Sequence, residues 1–452
     1  MSDYSKIDTY LEKNLDKSLS ELSKLVAQPS VGAQNWGLKE CAALVLEMLK
    51  ARGFDVQIME TPGAPVVFGE RSGQSDKTLL IYNHYDVQPP EPLELWESPP
   101  FEPSLRDGKL YGRGVSDDKG HIVSRLFAID SLLETDGELP CNIKFIIEGE
   151  EETASINLFE LIKNNKDLLK ADACMWEFGG VDHRDVPMLY LGLRGICYVE
   201  LSVETASIDV HSGLGGSIFP NAAWRLVWAL STLKGEDERI RIPGFYDGIQ
   251  SPSTRDRELM EALPEVAEEY KSRYGVKQFI KGLTGGVDLK LEEVFSPTCT
   301  ICGLTSGYQG PGSKTVLPAR ASAKVDFRLV PDQDPEDILR KLRAHLDAHG
   351  FNDVQITDLG GDPPARTDPD EPFVQLVAKT SEEVYETPMQ LVPMVGGSGP
   401  SYPFVHDLKL PVATAGLGYP DTRAHAPNEN IRVDLYLKHA RHMARVIKEF
   451  AE

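Results

Sequence analysis

Positive charge is scarce in this sequence. Its 47 Lys and Arg face 70 Asp and Glu, a formal net charge of −23. That balance argues against nucleic acid or an anionic membrane as a partner and fits a solvated acidic surface. Long apolar runs are missing: none approaches the roughly 20 residues needed to span a bilayer. The N-terminal Met1-Ser2-Asp3-Tyr4-Ser5-Lys6 has no basic start and no apolar segment, so no signal peptide is expected. Cysteine is sparse and scattered, at positions 41, 141, 174, 197, 299 and 302. Six in 452 residues is no disulfide framework, and it points to a reducing, cytoplasmic setting. Cys299-Thr300-Ile301-Cys302 has C-x-x-C spacing, but it reads as a strand, where positions three apart face opposite ways. Repeats and low-complexity tracts are lacking too.

What is present is a chain long enough for two domains. Apolar spacing predicts helices over 4–27, 37–52, 120–134 and 156–166. Strands are expected near 55–59, 65–69, 78–82, 143–147 and 171–176. Strands alternating with helices imply an α/β domain with a mixed, largely parallel sheet. The texture changes after Gly195: alternation over 197–205, a helix over 221–233, a charged helical stretch over 255–282, a strand over 318–330 and a helix over 335–349. This pattern predicts an inserted α+β domain over 196–361, with 1–195 and 362–452 forming the first domain. An amphipathic helix over 433–450 closes it.

The organising stretch is Glu148-Gly149-Glu150-Glu151-Glu152, four carboxylates in five residues after an apolar strand. Like charges there repel, and burial raises the cost. An Arg or Lys network could compensate, and so could a divalent metal. Two more strands end alike, one in Asn83-His84-Tyr85-Asp86 and one in Glu177. Ligands of open α/β sheets collect at such carboxyl ends. Loops add Asp117-Asp118 and His425, although an aspartate before a helix at 120 is favoured by the helix dipole without any metal. His84, Asp117, Glu152, Glu177 and His425 would give two imidazoles and three carboxylates. One bridging carboxylate then leaves each of two metals an N/O shell that suits zinc, with manganese or cobalt also acceptable. Water between two such cations is acidified. Glu151 can take its proton, and Asp86 can orient the His84 ring. Glu148 and Glu150 read as solvated or supporting carboxylates.

His84-x-Asp86, Gly112-Arg113-Gly114-x-x-Asp117-Asp118-Lys119-Gly120, Glu148-Gly149-x-Glu151-Glu152 and Ala424-His425 resemble, in order, the dinuclear zinc peptidases of the carnosinase, carboxypeptidase G and aminoacylase type. Gly192-Leu193-Arg194-Gly195, His211-Ser212-Gly213, Ser313-Lys314-Thr315-Val316-Leu317-Pro318 and Phe327-Arg328-Leu329-Val330-Pro331 look most like the cytosolic dipeptidases. Most of those carry Asp where Glu177 stands, which bears on metal preference or specificity. The resemblance implies hydrolysis of dipeptides or small peptides with a free carboxylate, Asp117 bridging the metals, Glu151 as base, and a cis Asp117–Asp118 peptide. It also implies a lid that forms a homodimer, His211 reaching the partner's site to stabilise an oxyanion, Arg328 gripping the substrate carboxylate, and Thr315 and Ser398 as substrate contacts. The rivals are an N-acyl- or N-carbamoyl-amino-acid amidohydrolase on the same site and a non-catalytic metal-binding protein.

Overall fold

The computed structural model describes residues 4–452, so part of the hexapeptide read for a signal segment, residues 1–3, lies outside the described residues. The chain divides into two compact units: residues 1–192, 366–393 and 400–452 form one, and residues 193–365 with 394–399 form the other.

The first unit begins with helices α1 (Ser5–Ala27) and α2 (Leu38–Lys50), then β1 (Asp55–Met59), β2 (Val66–Arg71) and β3 (Ser75–His84). Helix α3 (Lys119–Asp136), β4 (Cys141–Glu148), α4 (Leu158–Asn164) and β5 (Ala173–Trp176) follow. The second unit contributes β6 (Gly195–Glu204), α5 (Ala222–Leu233), α6 (Gly286–Phe295), β7 (Thr300–Ser306), β8 (Arg320–Leu329), α7 (Pro335–Ala348) and β9 (Gln355–Asp362). The chain then returns with α8 (Pro372–Tyr385), β10 (Val412–Thr414) and α9 (Val433–Phe450).

The sheet of the first unit has the order β1-β2-β4-β3-β5-β10. β1–β2 and β2–β4 are antiparallel, and the remaining pairs are parallel. The sheet is therefore mixed and largely parallel, as the alternating pattern predicts. Its central strands are apolar on both faces because helices cover both: Leu79, Ile81, Phe145 and Ile147 pack in the cluster that includes α1, α3 and α9, while Leu80, Tyr82, Ile146 and Trp176 pack with α4 and Phe404. The parallel register sets His84 directly opposite Glu148, so the two strand ends finish at one level.

The sheet of the second unit is antiparallel throughout, in the order β7-β8-β6-β9. Alternate residues of β6 (Cys197, Val199, Leu201, Val203) pack on α5 and α7, the one-sided burial expected of such a sheet. The charged stretch 255–282 is not one helix. It breaks into Thr254–Ala262 and Ala267–Tyr274, because Pro264 cannot continue the first and Gly275 ends the second in a left-handed turn (φ +66°). All six cysteines are free, with Cys299 buried and Cys302 exposed, so the C-x-x-C pair diverges. Among the described residues no helix is long and apolar enough to cross a membrane.

Candidate active site

Strand ends bring the first group together. His84 closes β3 and is buried. Its Nδ1 donates to the Asp86 carbonyl at 3.1 Å, with Asp86 Oδ1 at 3.3 Å. This leaves Nε2 to face the cluster, 3.0 Å from Asp117 Oδ1 and 3.6 Å from Glu177 Oε2. His425 lies in a left-handed conformation (φ +62°), rare for a non-glycine residue and common at functional sites. Its Nε2 is 3.0 Å from Asp117 Oδ2 and 3.2 Å from Glu152 Oε2. Asp117 thus stands between two histidines, one oxygen toward each. The Asp117–Asp118 peptide is cis.

Donor atoms fall into two trios: His84, Asp118 and Glu177 within 4.8 Å of one another, and likewise Asp117, Glu152 and His425. Asp118 occupies the N-cap position of α3, where the helix dipole favours a carboxylate, but its side chain makes no capping hydrogen bond. Its Oδ2 accepts from Asn83 Nδ2 and from the His84 amide instead, and its Oδ1 lies 2.7 Å from His121 Nδ1. With Asp118 so engaged, the first oxygen of Asp117 is left to face His84.

The residues fit a pair of divalent cations. Two donors at 2.0–2.1 Å from one tetrahedral ion stand about 3.3 Å apart, and the separations at this site, 3.0–3.6 Å, bracket that value. Glu177 Oε2 is buried with no hydrogen-bond partner among the described residues, a costly state for a carboxylate unless a cation meets it. The titration tendencies say the same. Burial, then Glu151, pushes the Glu177 carboxyl well up, and burial does the same to Glu151 against the pull of His84. Burial opposes charge on His84, yet Glu177, Asp117 and Asp86 carry its imidazole well above the usual range. Hydrogen bonds to Asp117 and Glu152 raise His425 to about 10. These carboxylates are short of positive charge.

The sequence profile of the peptidase family M20/M25/M40 matches residues 80–449, which include every residue of this cluster. The chain belongs to that family. The Cys-Gly metallodipeptidase of Schizosaccharomyces pombe is 29% identical, over 99% of this chain and 98% of that protein. Among solved structures, an M20 family metallo-carboxypeptidase from Sulfolobus solfataricus is 37% identical with a TM-score of 0.90, covering 96% of this chain and 99% of that one. Human carnosine dipeptidase 1 is 25% identical with a TM-score of 0.80, covering 100% and 99%. This member of the M20/M25/M40 family is a metal-dependent hydrolase of peptide bonds.

Around its acidic cluster are supports, two of which, Glu429 and Arg125, the sequence did not announce. Buried Glu429 accepts from Arg113 Nη1 (2.7 Å) and from the amides of Gly114 (2.8 Å), Ser116 (2.9 Å) and Asp117 (3.0 Å), and so holds the Asp117 loop. Buried Arg125 donates to the carbonyls of Tyr82, Trp176, Glu177 and Ala415 and to Asn83 Oδ1, tying together the ends of β3, β5 and β10. Asp86 does more than orient His84: its carboxylate accepts from the amides of Glu151 (3.2 Å) and Glu152 (3.0 Å). Glu148 is buried and accepts from Tyr82 Oη (2.6 Å) and Ser155 Oγ (2.9 Å), and burial pushes its carboxyl up to about 8. Glu150 accepts from Asn157 Nδ2 at 2.8 Å. Glu148 and Glu150 are supporting carboxylates.

Four predicted residues belong to the second unit. Half-buried Arg328 donates from Nη1 to Ser398 Oγ at 2.8 Å, with its Nε 3.4 Å from Asp326. His211 is exposed, and its Nδ1 accepts from the Gly213 amide at 3.0 Å. Thr315 is exposed, and its carbonyl accepts from the Ser212 amide at 3.1 Å. The structure therefore pairs Arg328 with Ser398 and sets Thr315 beside His211.

Proposed function

We propose that this protein is a dipeptidase that cleaves the amide bond of dipeptides and small peptides bearing a free C-terminal carboxylate. The observation that carries the reading is Asp117, shared between His84 with Glu177 and His425 with Glu152, with Glu151 alongside. His84, Asp117, Glu152, Glu177 and His425 would hold two divalent cations, zinc by preference and manganese or cobalt as alternatives. Bound there, the cations supply Lewis acidity that activates water and polarises the scissile carbonyl.

Glu151 takes the proton of the attacking water and passes it to the leaving amine. Asp86 keeps His84 turned toward Asp117 and anchors the Glu151–Glu152 turn. Arg328, with Ser398 fixing one end of its fork, takes the substrate carboxylate. His211 donates to the oxyanion in the partner subunit's site, and Thr315 contacts substrate.

The first unit is then the catalytic domain and the second the lid, which also forms a homodimer. The surface of the second unit supports the dimer: α5 exposes Trp224, Val227 and Trp228, and the edge strand β7 exposes Ile301 and Leu304. Uncovered apolar groups of this kind mark interaction sites.

The names of the relatives agree with this substrate class: a Cys-Gly metallodipeptidase and a metallo-carboxypeptidase both fit a grip on a free carboxylate. The test is a panel of dipeptides, longer peptides and N-acetylated dipeptides, offered to metal-stripped protein re-fed with zinc, manganese or cobalt. Cleavage of free dipeptides only after metal returns is the expected outcome. Cleavage of the N-acyl compounds alone would move the protein to the amidohydrolases.

A further inference from the structure

Behind the Arg328–Ser398 pair stands a second arginine that the reaction above does not use. Arg194 is 5% exposed. Its Nη1 donates to the Glu293 carbonyl at 2.8 Å, and its Nη2 to the Ser296 carbonyl at 2.6 Å and, more weakly, to the Arg328 carbonyl at 3.5 Å. Its backbone N–H donates to Gly397 O at 2.9 Å, one residue before Ser398. One residue therefore touches the strand that carries Arg328, the segment that carries Ser398, and the end of α6.

The acceptors of the guanidinium are all backbone carbonyls, and two of them lie at the C-terminal end of α6, which finishes at Phe295. The last carbonyls of a helix have no partners within it, and together they act as roughly half a negative charge. A negative pole beside a site for a carboxylate would repel the ligand. Arg194 covers that pole. Burial, then the neighbouring Arg328 charge, brings its guanidinium down to about 10, so it stays protonated at neutral pH.

We propose that Arg194 is the positioning residue of the carboxylate grip: it fastens the Arg328 strand to the Ser398 segment and neutralises the negative end of α6, so that both geometry and field favour a substrate carboxylate. This inference rests on the reading of Arg328 as the carboxylate-binding residue. The experiment is steady-state kinetics of the metal-loaded, full-length enzyme on a dipeptide and on its C-terminal amide, for Arg194→Met, Arg194→Lys and Arg328→Met.

Arg194→Met should raise KM for the free dipeptide about tenfold, the order of one charge-assisted hydrogen bond, with kcat nearly unchanged and amide hydrolysis unaffected. Arg194→Lys should fall between, because it keeps the charge without the planar fork. An unchanged preference for carboxylate over amide, or an equal loss on both substrates, overturns the proposal. If the methionine variant does not fold, the lysine variant is judged by the same preference. Arg328→Met separates the two ideas. If it keeps the preference for free carboxylate, the grip itself is misread. If it loses the preference while both Arg194 variants keep it, only the role of Arg194 fails.

Discussion

The two units hold their polar side chains by opposite means. In the first, His84, Asp86, Glu177 and Glu429 are buried, and the network around them ties each strand end and loop in several places. In the second, Arg328 and Ser398 are half-buried, His211 and Thr315 are exposed, and each is held by few contacts. The first collects carboxylates faster than it collects cationic partners, while the second pairs its charge with Ser398 and Asp326. A site that binds cations must be fixed before they arrive and is out of balance without them. A site that meets substrate can stand open and neutralised.

The sharpest way to break this contrast is Glu151→Gln. Turnover should fall by about 10²–10⁴-fold, the usual weight of a general base, while elemental analysis finds the metal content unchanged. Loss of metal along with activity would make Glu151 a ligand and erase the division between base and shell. Glu429→Gln tests the support of the Asp117 loop. Metal affinity, read by competition with a chromogenic chelator, should drop about 10–100-fold, as for other residues that orient ligands, with KM at saturating metal unmoved.

Chelation should then act on one unit only. Cations at a thousandfold excess over their dissociation constant stabilise by about 4 kcal/mol. Stripping them should speed hydrogen exchange around His84 and Glu177 and leave β6 and β8 as they were. Equal loosening in both units would end the comparison.

The smallest expected effect is a pH dependence of the first unit. His442, buried on α9 with Nε2 against the Val377 carbonyl at 2.9 Å, is brought by burial down to about 4, and burial lowers His439 as well. Both are neutral in the fold and take up protons near 6.5 when unfolded. Their contribution is complete above that value and is lost as pH falls toward 4. Between pH 7 and 4 the denaturant midpoint of the parent protein should fall relative to that of His442→Gln, which lacks one of these two losses.

Much of this site could be read from residue order. Each apolar run that ended in His84, Glu148–Glu152 or Glu177 announced both a strand and the edge to which it delivered its last side chain, because parallel strands finish together. His425, in a loop with no periodicity, was legible only as a loop candidate to complete the ligand set, and the motif resemblance strengthened it. Arg125 was hidden because it sits inside the helical run 120–134, where an arginine reads as a solvent-facing position. Only the packing of α3 under three strand ends turns it inward. Glu429 was hidden because its partners are mostly amides, which leave no mark in a sequence. The break in 255–282 could have been found: Pro264 and Gly275 are visible, but the density of charge hid them.

The second unit is inserted into the first, and this gives the protein an order of assembly on the ribosome. Residues 193–365, nearly the whole second unit, emerge as one uninterrupted stretch. The first unit waits for β10, His425, Glu429 and α9, all made after that stretch. His84 and Glu177 exist long before the residues that complete the other half of the proposed metal site. Nascent chains arrested near residue 400 should therefore carry a protease-resistant second unit beside an unfinished first one, and the ability to retain a pair of metal ions should appear only as the last strand and helix are delivered.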